Sequence, residues 1–427
     1  MIEIWINLPL FGRYAILAVA GLLLGAFTNW GIYTFAYFPR PISPWSQPHT
    51  DAPPRRGLDR LPVIGWLGLR RERSLHGTGF WIRPLLIEVG MAVLACLLYK
   101  FESVDFSLLT AIQLAEFQQL PGFAGLFSHW MHYLFFCHLL LLVLMTMATF
   151  IDFDERTVPD FITVPGTLLG LILSAISYEI FLPYVLYANN TVYLEPTLLT
   201  APYGVDPWIS TAGGLMLGLS LFAGWCFAIA DRRIILRKGW RKGVEFFFAG
   251  LVRNPAWKLL FVIWLVGTIG IVGVWFIGGS HWSSLLTGLA GMAIGGGSVW
   301  AVRIAAGHAL RQEAMGFGDV TLMAMIGTFI GWQASLIAFA LAPMTAIVIV
   351  LVQYALTRNR VVAFGPYLCA GTIVTILFWP LLWSEFGVVA FGLGPKILFT
   401  ILISLLLIMW AMLLIWGWIK RNLFGIQ

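Results

Sequence analysis

Long apolar runs separated by short polar segments dominate this chain of 427 residues. A helix that crosses a membrane needs about 20 mainly apolar residues. On that criterion roughly eleven segments qualify as spans. The first covers Tyr14–Phe38, the second Pro84–Tyr99, the third His129–Ile151 and the fourth Ile162–Tyr187. The fifth covers Ile209–Ala230, the sixth Leu259–Ile277 and the seventh Leu285–Ala306. Val320–Leu356 is too long for one span, and Gly331-Trp332 is expected to break it into a short helix and a longer one. Tyr367–Leu382 and Ile397–Trp418 complete the set. Gln113–Gly125 reads as a short outer loop with room for a surface helix.

The polar segments alternate in charge. The Arg40–Arg83 loop carries eight arginines, and the Asp231–Lys258 loop is similarly basic. Arg303 and Arg311 precede the eighth span, Arg358 and Arg360 follow the ninth, and Lys420 and Arg421 close the chain. The alternate loops lack this charge: Asn189–Trp208 has no Lys or Arg. The positive-inside rule then sets the N-terminus outside and the C-terminus in the cytoplasm. Composition agrees. Hydrophobic types make up 59% and charged types 11%, against roughly 25% charged in soluble proteins. So few charges cannot cover a soluble globule of this size. The sequence therefore predicts an all-α polytopic integral membrane protein. The net charge of +6 belongs to the cytoplasmic loops and implies no nucleic-acid partner. The four cysteines, Cys96, Cys137, Cys226 and Cys369, are scattered among apolar stretches and outline neither a zinc site nor a disulfide framework. No metal is expected. The first apolar stretch is too long for a cleavable signal peptide.

Two acidic positions carry candidate chemistry. Asp152 follows the third apolar run directly, in Phe150-Ile151-Asp152-Phe153-Asp154-Glu155. Asp319 follows two glycines, in Gly316-Phe317-Gly318-Asp319, and opens the next apolar helix. The topology puts both at the cytoplasmic membrane surface. Each has an ordinary reading: Asp319 as a helix cap favoured by the dipole, Asp152 as an interfacial loop acid. Together they suggest a carboxylate pair. Two carboxylates brought close share one proton, so the ionised one can activate water while the protonated one polarises a peptide carbonyl. Asp154, Glu155 and Asp160 are their neighbours. In a helical continuation Asp152 and Glu155 share a face and Asp154 points elsewhere. Asp160 falls in the first turn of span four, where a dipole role suffices. Glu179 lies inside the fourth apolar stretch and offers the best support for a rival class, a proton- or ion-coupled transporter.

At these segments the sequence resembles the type 4 prepilin peptidases, polytopic aspartyl proteases of the GxGD type. The resemblance rests on Ile151-Asp152 through Val158-Pro159-Asp160, on Glu313-Ala314-Met315-Gly316-Phe317-Gly318-Asp319, and on Phe364-Gly365-Pro366-Tyr367. Three N-terminal segments are also similar to the family: Gly21-Leu22-Leu23-Leu24-Gly25-Ala26-Phe27-Thr28-Asn29, Leu61-Pro62-Val63-Ile64-Gly65-Trp66-Leu67-Gly68-Leu69-Arg70, and Arg83-Pro84-Leu85-Leu86-Ile87-Glu88. Gly21 and Gly25 equally suit close helix packing. The resemblance implies Asp152 and Asp319 as the catalytic pair, with Gly316 and Gly318 supporting the catalytic loop. It implies a membrane endopeptidase that removes basic leaders from prepilins or pseudopilins of type IV pili or type II secretion. The enzyme would act at the cytoplasmic face of a prokaryotic cell membrane, with lipid around the substrate's apolar helix. Asp154, Glu155 and Asp160 would be available to the basic leader. Proteolysis would need no cofactor. In bifunctional members the N-terminal half N-methylates the new N-terminus from S-adenosylmethionine.

Two departures stand out. The Arg40–Arg83 loop contains no cysteine, so the Cys-x-x-Cys tetrad of many bifunctional members is absent. The aspartates lie 167 positions apart, much more than in most members. The implied organisation is an N-terminal membrane segment (1–128), a protease domain (129–383) interrupted by an insertion at about 208–280, and an additional C-terminal helix (384–427). For the inserted spans to be tolerated, spans three, four, seven and eight must still meet. An inactive scaffold, its aspartates held apart by the insertion, is the remaining alternative.

Overall fold

A computed structural model describes residues 2–118, 123–188, 191–230, 255–311, 315–357 and 363–424. Asn189, Asp231–Arg253, Glu313 with Ala314, and Arg358 with Arg360 lie outside the described residues. The long helices are numbered here in chain order. They are α1 (Leu10–Phe35), α2 (Ile82–Tyr99), α3 (Phe123–Glu155), α4 (Asp160–Ile176), α5 (Ala212–Ile229), α6 (Pro255–Ile277) and α7 (Gly279–Leu310), then α8 (Phe317–Thr357), α9 (Gly365–Leu377), α10 (Trp379–Gly392) and α11 (Pro395–Phe424).

The protein is an all-α polytopic membrane protein, with one small hairpin among the described residues. Among the described residues eight helices are long and apolar enough to cross a membrane, or nine if α9 and α10, bent by 83°, form one span. Among the described residues the expected eleven become nine at two places. Val320–Leu356 is broken at Gly331 as expected, but its two helical parts follow on across the kink as α8 and count as one span. The fourth span stops at Ile176, and the chain turns into an antiparallel hairpin of β1 (Pro183–Ala188) and β2 (Thr191–Pro196). An apolar run of strand length cannot be told from helix by hydrophobicity alone. The expected surface helix is present as Ala111–Gln118.

The kink at Gly331 has a local cause. Its φ of 77° is accessible to glycine at little cost. The chain leaving the hairpin packs against the bend and occupies its polar groups. Trp332 Nε1 donates to the Leu199 carbonyl at 2.9 Å, and Gln333 Nε2 to the Leu198 carbonyl at 2.8 Å. From the hairpin's start, the Pro183 carbonyl accepts from Trp379 Nε1 at 2.7 Å, which ties α10 to the same end.

The core lies along α8, whose Leu322, Met323, Met325, Ile326, Phe329 and Ile330 are fully buried. Helices α3, α4, α7 and α9 all pack on α8. The inserted helices α5 and α6 pack against each other and against the outside of α7. They therefore do not hold α3 away from α8, as the scaffold reading requires. α11 touches α7 along one side and buries nothing of its most apolar stretch.

The N-terminal half is organised around one buried acid. Glu88, on α2, accepts from Trp66 Nε1 at 2.7 Å, from Asn29 Nδ2 at 3.3 Å and from the Val63 amide at 2.5 Å. Asn29 Nδ2 also donates to the Pro84 carbonyl at 2.8 Å. The three N-terminal segments singled out in the sequence thus meet at a single carboxylate. Gly25 lets α1 approach it: a Cβ there would lie 2.5 Å from Glu88 Cα. Val63 holds a φ of 63°, an outlier for a β-branched residue, and its bond to Glu88 maintains it. The loop before α2 is cross-linked by ion pairs. Arg71 grips both oxygens of Asp59, and Arg55 pairs with Glu72, whose side chain is fully buried.

Candidate active site

Three helix ends converge on one spot. α3 ends just after Asp152: the Arg156 amide donates to the Asp152 carbonyl at 2.8 Å, and Arg156 takes a left-handed φ of 58° that turns the chain. Val158 and Pro159 follow, buried, and Asp160 opens α4. α8 begins at Phe317, so Asp319 stands in its first turn. α9 begins at Gly365.

The Asp152 carboxylate sits at the N-terminus of α9. The Gly365 amide donates to Asp152 Oδ2 at 3.0 Å. Unpaired amides and the helix dipole favour a negative charge there. Pro366 lacks an N–H, so Gly365 supplies the donor. A Cβ on Gly365 would lie 2.7 Å from Asp152 Oδ2, which makes residue 365 a contact that only glycine fits without displacement.

Asp319 fills the other side. Its carboxylate accepts from the Gly316 amide, the N3-to-N-cap half of a capping box. The ordinary cap reading is thus realised in part, but Val158 links this helix start to Asp152: a Cβ at Gly365 would meet both Asp152 Oδ2 and Val158 Cγ2, and a Cβ at Gly318 would meet Val158. Both side chains are buried, with 4% of Asp152 and 6% of Asp319 exposed. The structure therefore brings together the two aspartates that the sequence separates by 167 positions.

The two glycines of the loop differ in role. A Cβ at Gly318 would lie 2.8 Å from the Val158 carbonyl oxygen and 2.9 Å from its nitrogen. Gly318 is what lets the start of α8 lie against the segment that follows Asp152. At Gly316 the nearest atom to such a Cβ is Asp319 Oδ2, at 3.7 Å. Gly316 contributes its amide rather than its lack of a side chain.

Sequence reasoning missed several neighbours. Arg303 on α7 donates from Nε to the Met315 carbonyl at 2.9 Å, holding the approach to Gly316. It entered the sequence reading only as a topology marker. Tyr367 and Cys369 are buried on α9, close behind Gly365. Gly365 lay in a segment noticed only by resemblance. Glu179 is not inside a span: it lies in the turn Tyr178–Ile180 and faces His129 Nδ1 at 3.2 Å. This removes the residue on which the transporter reading leaned.

Comparison with known proteins points the same way. Residues 247–351 match the type IV leader peptidase family. The matched stretch includes α6, α7 and most of α8, and so Asp319. Asp152 and the N-terminal segments lie outside it. Two relatives are a prepilin leader peptidase/N-methyltransferase of Pectobacterium carotovorum, 32% identical over 93 residues, and one of Escherichia coli, 30% identical over 88 residues. These stretches cover 21% and 20% of this chain, and 33% and 39% of the relatives. The chain thus spans little more than a third of the length of the curated relatives it matches. No solved structure matches it.

Proposed function

We propose that this protein is a membrane endopeptidase that removes basic leader peptides from prepilins or pseudopilins, with Asp152 and Asp319 as its water-activating pair. The observation that carries this reading is the convergence of the two buried carboxylates at the ends of α3 and α8. The family match on the Asp319 segment supports it independently.

The chemistry follows from the pair. One carboxylate is ionised and takes a proton from a water molecule as that water attacks the scissile carbonyl carbon. The other is protonated and donates to the carbonyl oxygen, giving a neutral gem-diol. Collapse breaks the C–N bond: the protonated carboxyl gives its proton to the leaving nitrogen while the other carboxylate takes a proton from a gem-diol hydroxyl, which restores the pair. The products are a leader with a free carboxylate and a mature protein with a new amino terminus. Asp152, bonded by the Gly365 amide at the start of α9, is the better placed to be the ionised partner that takes the proton of the water. The substrate's apolar helix lies in lipid beside the bundle, and its cleavage point meets the pair at the cytoplasmic face of a prokaryotic cell membrane.

The relatives' names include an N-methyltransferase. Of the buried acids in the N-terminal half, Asp59 is engaged by Arg71 and Glu88 at both oxygens by Asn29, Trp66 and Val63, while Glu72 meets Arg55 through one oxygen only. We confine the proposal to proteolysis.

The test is to reconstitute the full chain in liposomes with a prepilin bearing a Lys/Arg-rich leader and to map the product's N-terminus by mass spectrometry. A single cut between leader and apolar helix is expected. Intact prepilin, or cuts scattered along the chain, would contradict the proposal.

A further inference from the structure

The acids that follow Asp152 are held by the N-terminal half. Arg83, in the first turn of α2, donates from Nη1 to Asp154 Oδ1 at 2.7 Å and from Nη2 to Oδ2 at 2.8 Å. Arg40 Nη1 stands 3.7 Å from the same Oδ2. Next along the chain, Glu155 accepts from the Tyr37 amide at 2.8 Å and from the Phe38 amide at 2.9 Å, just past the end of α1. The Asp152 carbonyl closes the turn that these two side chains belong to. The last turn of α3 is therefore gripped from two directions. The Arg83 guanidinium also lies over the Tyr33 and Phe150 rings, at 5.9 and 5.6 Å from their centres.

A bidentate arginine fork fixes orientation as well as position. The pair is partly exposed, with 34% of the Arg83 side chain and 20% of that of Asp154 open to solvent. Such pairs add little to global stability. Placement of Asp152 is a task suited to a contact of this kind. Receiving a basic leader is not, because both oxygens of Asp154 and both of Glu155 are already occupied within the chain.

We infer that Arg83 is a positioning residue: through Asp154 it fixes the last turn of α3 and so the direction in which Asp152 meets Asp319. The activity arm of the test rests on the peptidase reading, whereas a second arm does not. In the first, Arg83→Gln, Asp154→Asn, Arg83→Lys and the exchange Arg83→Asp with Asp154→Arg are compared with the unaltered full-length protein in liposomes. The single losses are expected to lower kcat by about 10- to 100-fold, the scale of a small misplacement of a reacting group. KM should stay within about twofold, since uniform binding is untouched. Arg83→Lys should recover only part of the rate, because an ammonium cannot form the fork. The exchange should recover most of it.

In the second arm, the thiol introduced by Asp152→Cys is alkylated, and modification at that position is followed by mass spectrometry. Adding Arg83→Gln should speed alkylation several-fold as the turn loosens. An unchanged kcat for Arg83→Gln would overturn the inference. So would a rise in KM alone, which would make Asp154 a leader-binding residue. If no prepilin is cut at all, the peptidase reading fails and the alkylation rate decides by itself: a faster rate sustains the positioning role, an unchanged rate overturns it.

Discussion

The amide of Gly365 donates to Asp152 Oδ2 at 3.0 Å across 213 positions of sequence. This one bond joins the end of α3 to the start of α9, and it places a carboxylate where a helix terminus stabilises negative charge. Gly365→Ala would put a Cβ 2.7 Å from that oxygen. Asp152 must then move or turn. The expected result is a loss of about 100-fold in kcat, with membrane insertion and KM little changed. Steady-state kinetics on a prepilin in liposomes checks it.

The two glycines before Asp319 should behave differently. Gly318→Ala forces the start of α8 away from Val158, where a Cβ would stand 2.8 Å from the carbonyl oxygen. Activity should fall by about 100-fold or more. Gly316→Ala keeps the amide that serves Asp319, and its Cβ would meet nothing closer than 3.7 Å. Its activity should remain within a few-fold of the unaltered protein. Equal losses in the two variants would contradict the role given to the approach at Gly318.

Glu88 is predicted to act on stability. Glu88→Ala would strip the buried acceptor from Trp66 Nε1 and from the strained Val63 amide. Each orphaned buried donor costs about 1–3 kcal/mol. The variant should unfold at lower temperature and expose the 57–76 loop to protease, whereas Glu88→Gln, which keeps an acceptor oxygen, should lose less. Thermal unfolding in detergent, with limited proteolysis, separates the two.

The loop ion pair carries a pH dependence. The Arg71 guanidinium bonded to Asp59 holds the Asp59 carboxyl below its ordinary value. A carboxyl depressed on folding stabilises the folded loop above its unfolded pKa of about 4, and that stabilisation fades as pH falls through the lower folded value. Hydrogen exchange over residues 56–71 should therefore be constant near neutral pH, once corrected for the intrinsic rate, and should accelerate only below about pH 4. In Asp59→Asn it should be fast at every pH. Acid-induced loosening that persists in that variant would contradict the assignment.

Much of the architecture is written in hydrophobic run length. α1, α2, α5, α6, α7 and α11 begin and end within a few residues of the apolar stretches that announce them. The bend at Gly331 was also legible, because a glycine-tryptophan pair interrupts an overlong run. The end of α4 was not. The residues Phe181–Tyr187 are as apolar as a span, and only the pairing of Pro183–Ala188 with Thr191–Pro196 makes them a strand. Glu179 was misplaced for the same reason.

The candidate site was legible as types of residue, not as contacts. Asp152 and Asp319 were visible as acids at the edges of apolar runs. Their closest partners were not, because the bonds of Gly365 to Asp152 and of Arg83 to Asp154 span 213 and 71 positions. No local periodicity reports pairings at such distance. Asp154 and Glu155 are legible as acids open to a leader, whereas the fold ties them to Arg83, Tyr37 and Phe38.

The pairing of Asp152 with Asp319 is the centre of this account, and cleavage by three purified proteins tests it most directly. The unaltered chain, Asp152→Asn and Asp319→Asn are each reconstituted with the same prepilin, after matched thermal unfolding has shown that all three are folded. The account predicts that the unaltered chain cuts once behind the leader and that each single substitution abolishes the cut. If either variant cuts at the rate of the unaltered chain, the two carboxylates do not act as a pair.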